Sequence, residues 1–141
     1  MLSTLETWAR RVWAERDPIA IHELSASDIR MHGLGPQPLV GPDAYQAFHQ
    51  QVCHLFVETR LVVHNHLEQG EWLAARCTFV GRTADGREAS AEGAVFARIA
   101  DGKVLEGYNY FDLIGMFTQL GQLPADTLEC CMNGQGVGGN G

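Results

Sequence analysis

Between Arg60 and Phe111 the chain adopts a period of two, and the turn dipeptides Gln69-Gly70, Asp85-Gly86 and Asp101-Gly102 cut it into four lengths. Successive side chains of a strand point to opposite faces, and glycine supplies the positive φ that tight hairpin loops require. The segment is therefore predicted as a four-stranded antiparallel meander. This pattern constrains the fold most, because strands this long must bury at least one face against something else.

If each dipeptide forms a two-residue loop, the pairing register follows outward from it. One face then carries Trp72, Arg76, Thr78, Val95, Ile99, Glu106, Tyr108, Tyr110 and Asp112, joined by Leu61, Val63, Asn65 and Leu67. The other carries Val62, His64, His66, Leu73, Cys77, Phe79, Glu92, Phe96, Arg98, Asn109 and Phe111. Neither set is polar enough to face water, as one side of a half-buried antiparallel sheet should. Helices can cover one side, so a second copy in a two-fold homodimer is expected over much of the other. Mid-strand Gly93 and Gly107 are expected to let the sheet bulge and curl.

Helical signals precede the meander. Ser3 and Glu6 have capping-box spacing, and Leu5, Trp8 and Val12 then recur at helical intervals, which predicts a first helix to about Arg16. Asp17-Pro18 starts a short second helix, "DIRMH" reads as a strand, and Pro42-Asp43 starts a third helix with the apolar stripe Tyr45, Phe48, Val52, Leu55 and Phe56. "LIGMFTQLGQL" after Asp112 reads as a further helix. Helices followed by a run of strands predict one α+β domain over residues 1–125, a curved antiparallel sheet wrapped around N-terminal helices in a cone-shaped roll with a pocket between them. Residues 126–141 read as a Gly-rich tail, mobile or ordered only against a partner.

Charge and composition exclude several functions. A formal net charge of −7, with ten Lys and Arg spread along the chain, argues against a nucleic-acid surface. No stretch approaches the roughly 20 apolar residues of a membrane span, and the N-terminus has no apolar signal-peptide core. Cys53, Cys77, Cys130 and Cys131 lack ligand or disulfide spacing, which fits a reduced cytoplasm. Nucleophile-elbow, phosphate-loop and dinucleotide fingerprints are absent from the sequence.

A few residues could carry chemistry. Asp112, on the joint between strand and helix, reads either as a helix cap or as a proton carrier whose pKa is raised by burial beside Tyr108 and Tyr110. His32 ends the first strand at a Gly-rich loop, where it could share a proton with a substrate oxygen. Tyr45, Phe48, Trp72, Tyr108 and Tyr110 read as core or as the lining of a site for a flat ligand. Arg76, Glu92, Arg98 and Glu106, charged residues inside strands, are expected to form ion pairs. His64 and His66 would need a third ligand such as Glu92 to hold a metal, and no metal site is expected.

The stretch "DGKVLEGYNYFDLIGMFTQLGQL", supported by "SDIRMHG", "GPDAYQAFHQ" and "EWLAARCTFVG", resembles the SnoaL-like polyketide cyclase group of the nuclear-transport-factor-2-like superfamily over about residues 5–123. The resemblance implies an α+β fold. It implies Asp112 as general acid/base of an aldol-type ring closure without cofactor, with His32 at a position where the family commonly has a histidine. It makes the face of Tyr108, Tyr110 and Asp112 the expected pocket face, with Tyr45, Phe48, Trp72 and Arg76 in the substrate site. Relatives that hydrolyse epoxides use an Asp–Arg–Asp set, which the turn positions of Asp85 and Asp101 disfavour. The expected activity is proton transfer on a hydrophobic carbonyl compound, as cyclase or isomerase. The competing expectations are a non-catalytic binder of a small hydrophobic or aromatic ligand, and an interaction module whose pocket is filled by side chains.

Overall fold

The computed structural model describes residues 1–137. Its helices are α1 (Leu2–Trp8), running on into a π-helical stretch (Ala9–Ala14), α2 (Pro18–Leu24), α3 (Pro42–Leu55), α4 (Leu113–Gln119) and α5 (Thr127–Met132). The strands are β1 (Ser25–His32), β2 (Leu39–Val40), β3 (Glu58–Gln69), β4 (Trp72–Arg82), β5 (Glu88–Ala100) and β6 (Lys103–Phe111). They form one curved sheet in the order β2-β1-β6-β5-β4-β3, antiparallel except where β1 lies parallel to β6.

Local chemistry explains the element boundaries. Asp17 Oδ1 accepts from Ile19 N–H, with Pro18 in the first turn of α2. Gly41, at φ 89°, leads into Pro42 and α3. The capping box expected at Ser3 does not form: α1 begins at Leu2, whose N–H donates to Glu68 Oε1 of β3 at 2.9 Å. A carboxylate from the sheet serves a free helix-end donor, so no local cap is required. Thr127–Met132 of the supposed tail is helical, with Thr127 buried and its hydroxyl donating to Pro124 O at 2.6 Å. The last four residues of that tail lie outside the described part.

The meander has its four strands, but the register departs from the expected one: Gln69 pairs with Trp72, so the first two-residue loop is Gly70-Glu71. Arg82 pairs with Glu88, so the β4–β5 loop holds five residues and shifts β5 by one position. Ala100 pairs with Lys103 as expected, yet Ile99 faces Val104 while Arg98 faces Glu106, so Leu105 is an inserted bulge residue. These two offsets cancel between β4 and β6 and leave only β5 out of phase. Val95 and Ile99 therefore face the interior with Leu73, Cys77, Asn109 and Phe111, whereas Phe96 and Arg98 face outward with Trp72 and Tyr108. A second irregularity between Val63 and Asn65 makes His64 the inserted residue of β3. It turns Leu61 and Val63 inward and leaves Asn65 and Leu67 outward. His64, bonded to Thr78 Oγ1 at 2.7 Å, therefore does not share a face with His66, which pairs with inward-facing Ala75.

The bulges fall at His64 and Leu105 and not at the mid-strand glycines. Gly93 and Gly107 instead permit close contacts: a Cβ on Gly93 would lie 2.1 Å from Tyr110 O, and one on Gly107 would lie 2.7 Å from Met31 Sδ. The main core joins α1, its π-helical continuation and α2 to the inner face of β1, β4, β5 and β6, with Val12, Ile21, Ile29 and Leu73 fully buried.

Candidate functional site

The inner face of the sheet is built from small residues opposite large ones on the helices. Ala91, Ala97 and Gly107 face the interior, while Trp8 and Trp13 from the first helical segment and Tyr45, Phe48 and Val52 from α3 approach from above. Small residues on the floor and rigid rings on the roof leave an open volume. A cavity of about 150 Å3 results, closed further by Leu61, Phe79, Val95 and Phe111 of the sheet and by Leu113, Met116 and Phe117 of α4.

The π-helical stretch sets one wall. Its widened turn, with Glu15 N–H donating to Arg10 O, frees carbonyls that an α-helix would use. Buried free carbonyls require partners. His49 Nε2 donates to Val12 O at 2.7 Å, and Thr59 Oγ1 donates to Trp13 O at 2.8 Å. Both bonds hold the backbone at Trp13, whose ring meets Phe79 edge-on at 5.2 Å and Tyr45 at 6.5 Å. Burial pushes the His49 pKa down, against the opposing pull of its bond to Val12. His49 is absent from the sequence-based candidates, yet its place four residues after Tyr45 on the apolar stripe of α3 was a usable signal.

Among the described residues only four of those lining the cavity carry a side-chain N or O atom: Trp8, Trp13, Tyr45 and Asn109. Burial pushes the Tyr45 hydroxyl well above its usual range, and the neighbouring indoles of Trp8 and Trp13 oppose part of that rise. Tyr45 is thus a neutral phenol throughout the physiological range. Asn109 is 7% exposed and donates through Nδ2 to His32 O at 2.9 Å. That carbonyl can only accept, so the amide orientation is fixed.

The expected site residues divide between two faces. Tyr45 and Phe48 line the cavity; Trp72, Arg76, Tyr108, Tyr110, His32 and Asp112 do not. Trp72 stacks on Phe96 at 4.6 Å and 14°, Phe96 lies 6.5 Å from Tyr108, and Tyr108 stacks on His32 at 4.5 Å and 6°. These rings form a ribbon across β4, β5, β6 and β1 on the outer face, where Tyr110 is 64% exposed. Arg76 donates to Asn65 Oδ1 at 2.9 Å, and Arg98 pairs with Glu106 at 2.9 Å on the same face. The cavity is therefore on the sheet face opposite Tyr108 and Tyr110.

Asp112 is exposed and caps α4: its Oδ1 accepts from Gly115 N–H at 2.9 Å. Its N–H donates to Glu92 O at 2.9 Å, which anchors the strand-to-helix joint to β5. The second oxygen, Oδ2, makes no hydrogen bond to the described residues. Phe111 and Leu113, its chain neighbours, both line the cavity. Among the described residues no group of three or more His, Cys, Asp or Glu is gathered to hold a metal, and no helix is long and apolar enough to cross a membrane.

A sequence profile of the SnoaL-like polyketide cyclase family matches residues 3–120. No curated protein sequence matches the chain significantly. Among solved structures the chain is similar to IdmH from Streptomyces antibioticus, a polyketide cyclase candidate, with 20% identity, 84% of this chain and 96% of that one covered, and a TM-score of 0.73. A SnoaL-like protein from Jannaschia sp. CCS1 gives 19% identity, 87% and 92% coverage and a TM-score of 0.74. A protein of ketosteroid isomerase-like fold from Catenulispora acidiphila DSM 44928, solved with trimethylamine, gives 17%, 87%, 95% and 0.75. At these identities the likeness is one of fold.

Proposed function

Because the chain belongs to the SnoaL-like polyketide cyclase family, we propose that it works on a small organic molecule, and that its cavity holds a compact, largely apolar ring compound. One observation carries this reading: the void of about 150 Å3 is walled, among the described residues, almost wholly by aromatic and aliphatic side chains, with no carboxylate, imidazole or ammonium. A dry apolar void of about that size holds a single benzene ring, and desolvating such a ring against Trp13, Phe79 and Val95 supplies the driving force. A lining without a titratable base favours binding over chemistry inside the cavity. The test is thermal melting with toluene: a concentration-dependent rise in Tm is expected for the native chain and not for Ala97→Phe, whose ring fills the void. An unchanged Tm in the native chain would count against a ligand cavity.

A second reading, acid/base catalysis as a cyclase or isomerase, is favoured by the unpaired Asp112 Oδ2 between two cavity-lining residues. A ring ketone held with its α-carbon at the α4 end of the cavity could lose a proton to that oxygen, with no cofactor taking part. A carboxylate is a weak base, so a proton transfer to it calls for an acidic C–H bond. His32, on the outer face, would take part only through a ligand bound there. Acetophenone in D2O provides the test: methyl-proton exchange above background, lost in Asp112→Asn, supports catalysis, whereas equal exchange in both proteins sinks it. Asn caps a helix as well as Asp does, so the variant keeps α4. The free thiols of Cys53, Cys77, Cys130 and Cys131 suit a reducing compartment, and a cytoplasmic setting is proposed on that ground.

A further inference from the structure

Among the described residues Asn109 is the only amide on the cavity wall, and half of it is spent. Its Nδ2 is held by His32 O, which pins β6 to the end of β1. Its Oδ1 makes no hydrogen bond to the described residues. Among those residues the only fully enclosed side-chain N or O atom without a partner is Ser25 Oγ. The unbonded Oδ1 therefore borders accessible space, and on the inner face that space is the cavity Asn109 lines.

An amide oxygen that faces an apolar cavity is costly for as long as nothing in the cavity donates to it. An apolar residue could fill that place on the wall, but only an amide there offers a fixed acceptor to whatever occupies the cavity. We infer that this cavity selects a ring compound bearing a hydrogen-bond donor, a hydroxyl on the ring, which Asn109 Oδ1 accepts; the inference rests on the ligand-cavity reading above and makes Asn109 its specificity-determining residue. A purely apolar cavity discriminates against a phenol, because the hydroxyl loses its water and gains nothing. Here that loss is repaid at one point. The Tyr45 hydroxyl, the other side-chain oxygen on the wall, both donates and accepts; an acceptor-only ligand can engage it but not Asn109 Oδ1, and for a donor ligand the variant Asn109→Leu separates the two residues.

The experiment is calorimetric titration of the full chain with phenol, toluene and anisole, which share a ring and differ in carrying a donor, neither, or an acceptor alone. Phenol is expected to bind at least as tightly as toluene, and anisole no tighter than toluene. In Asn109→Leu the phenol-to-toluene affinity ratio should fall by about tenfold or more. A purely structural role of Asn109 would weaken both ligands alike and leave the ratio unchanged, which would overturn the inference. Tighter toluene than phenol, or anisole matching phenol, in the native chain would overturn it without any variant. In each of these cases bound toluene leaves the cavity reading standing. If none of the three binds, the cavity reading falls, and the specificity assigned to Asn109 falls with it.

Discussion

Three polar side chains around the cavity do different work, and their hydrogen bonds tell them apart. Asp112 gives one oxygen to a helix start and keeps one, Asn109 gives its donor to β1 and keeps its acceptor, and His49 is committed to the π-helical stretch through Val12 O. For His49 the sign of the pH effect follows. Burial lowers its pKa below 6.5, so the unfolded chain binds the proton more readily than the folded one. The stability this confers is present above about pH 6.5 and is lost as pH falls through the lowered folded value. His49→Leu should cost about 1–3 kcal/mol at neutral pH by leaving Val12 O unpaired. It should also flatten the loss of stability on acidification, read as the difference between the two proteins in denaturant unfolding at a series of pH values. Parallel pH profiles would contradict this. The sequence left Asp112 open between helix cap and proton carrier, and its bond from Gly115 N–H establishes the cap. The place of His49 on the apolar stripe of α3 marked it as buried, but its partner was not legible, because nothing local announces a π-helical turn.

Strand existence follows from the period of two and from Asp-Gly turns, whereas strand phase depends on loop length and bulges that those signals do not specify. A loop of five residues after Arg82, odd where an even number was expected, was enough to exchange Val95 for Phe96 on the cavity wall, and the residue inserted at Leu105 returned β6 to the expected phase. Burial along β5 alternates strictly once the phase is right, with Ala91, Val95, Ala97 and Ile99 inside and Glu92 and Phe96 outside. The outer face then gathers Trp72, Phe96, Tyr108 and Tyr110 with exposed Leu67, more apolar surface than a sheet turned to water carries. A second copy of the chain is the proposed cover for this face. Sedimentation should give a dimer that dissociates when Phe96 and Tyr110 are both changed to Lys. A native chain that is monomeric at micromolar concentration would refute the proposal.

At the scale of the molecule, helices over one face of a curved sheet were legible from composition, turn spacing and the motif around Asp112. The face that holds the cavity was not, because both faces are apolar and the register alone decides between them. Six of the eight residues expected at the site lie off the cavity wall, and Tyr45 and Phe48 lie on it. The two rings at Trp8 and Trp13 would report one location for a bound ring, and those at Trp72 and Phe96 another. The central claim is that the enclosed inner face receives the ligand. Intermolecular nuclear Overhauser contacts from bound toluene, or from bound phenol, test it most directly. The account predicts contacts to Trp13, Phe79 and Val95 and none to the outer ribbon; contacts confined to Trp72, Phe96 and Tyr108 would contradict it.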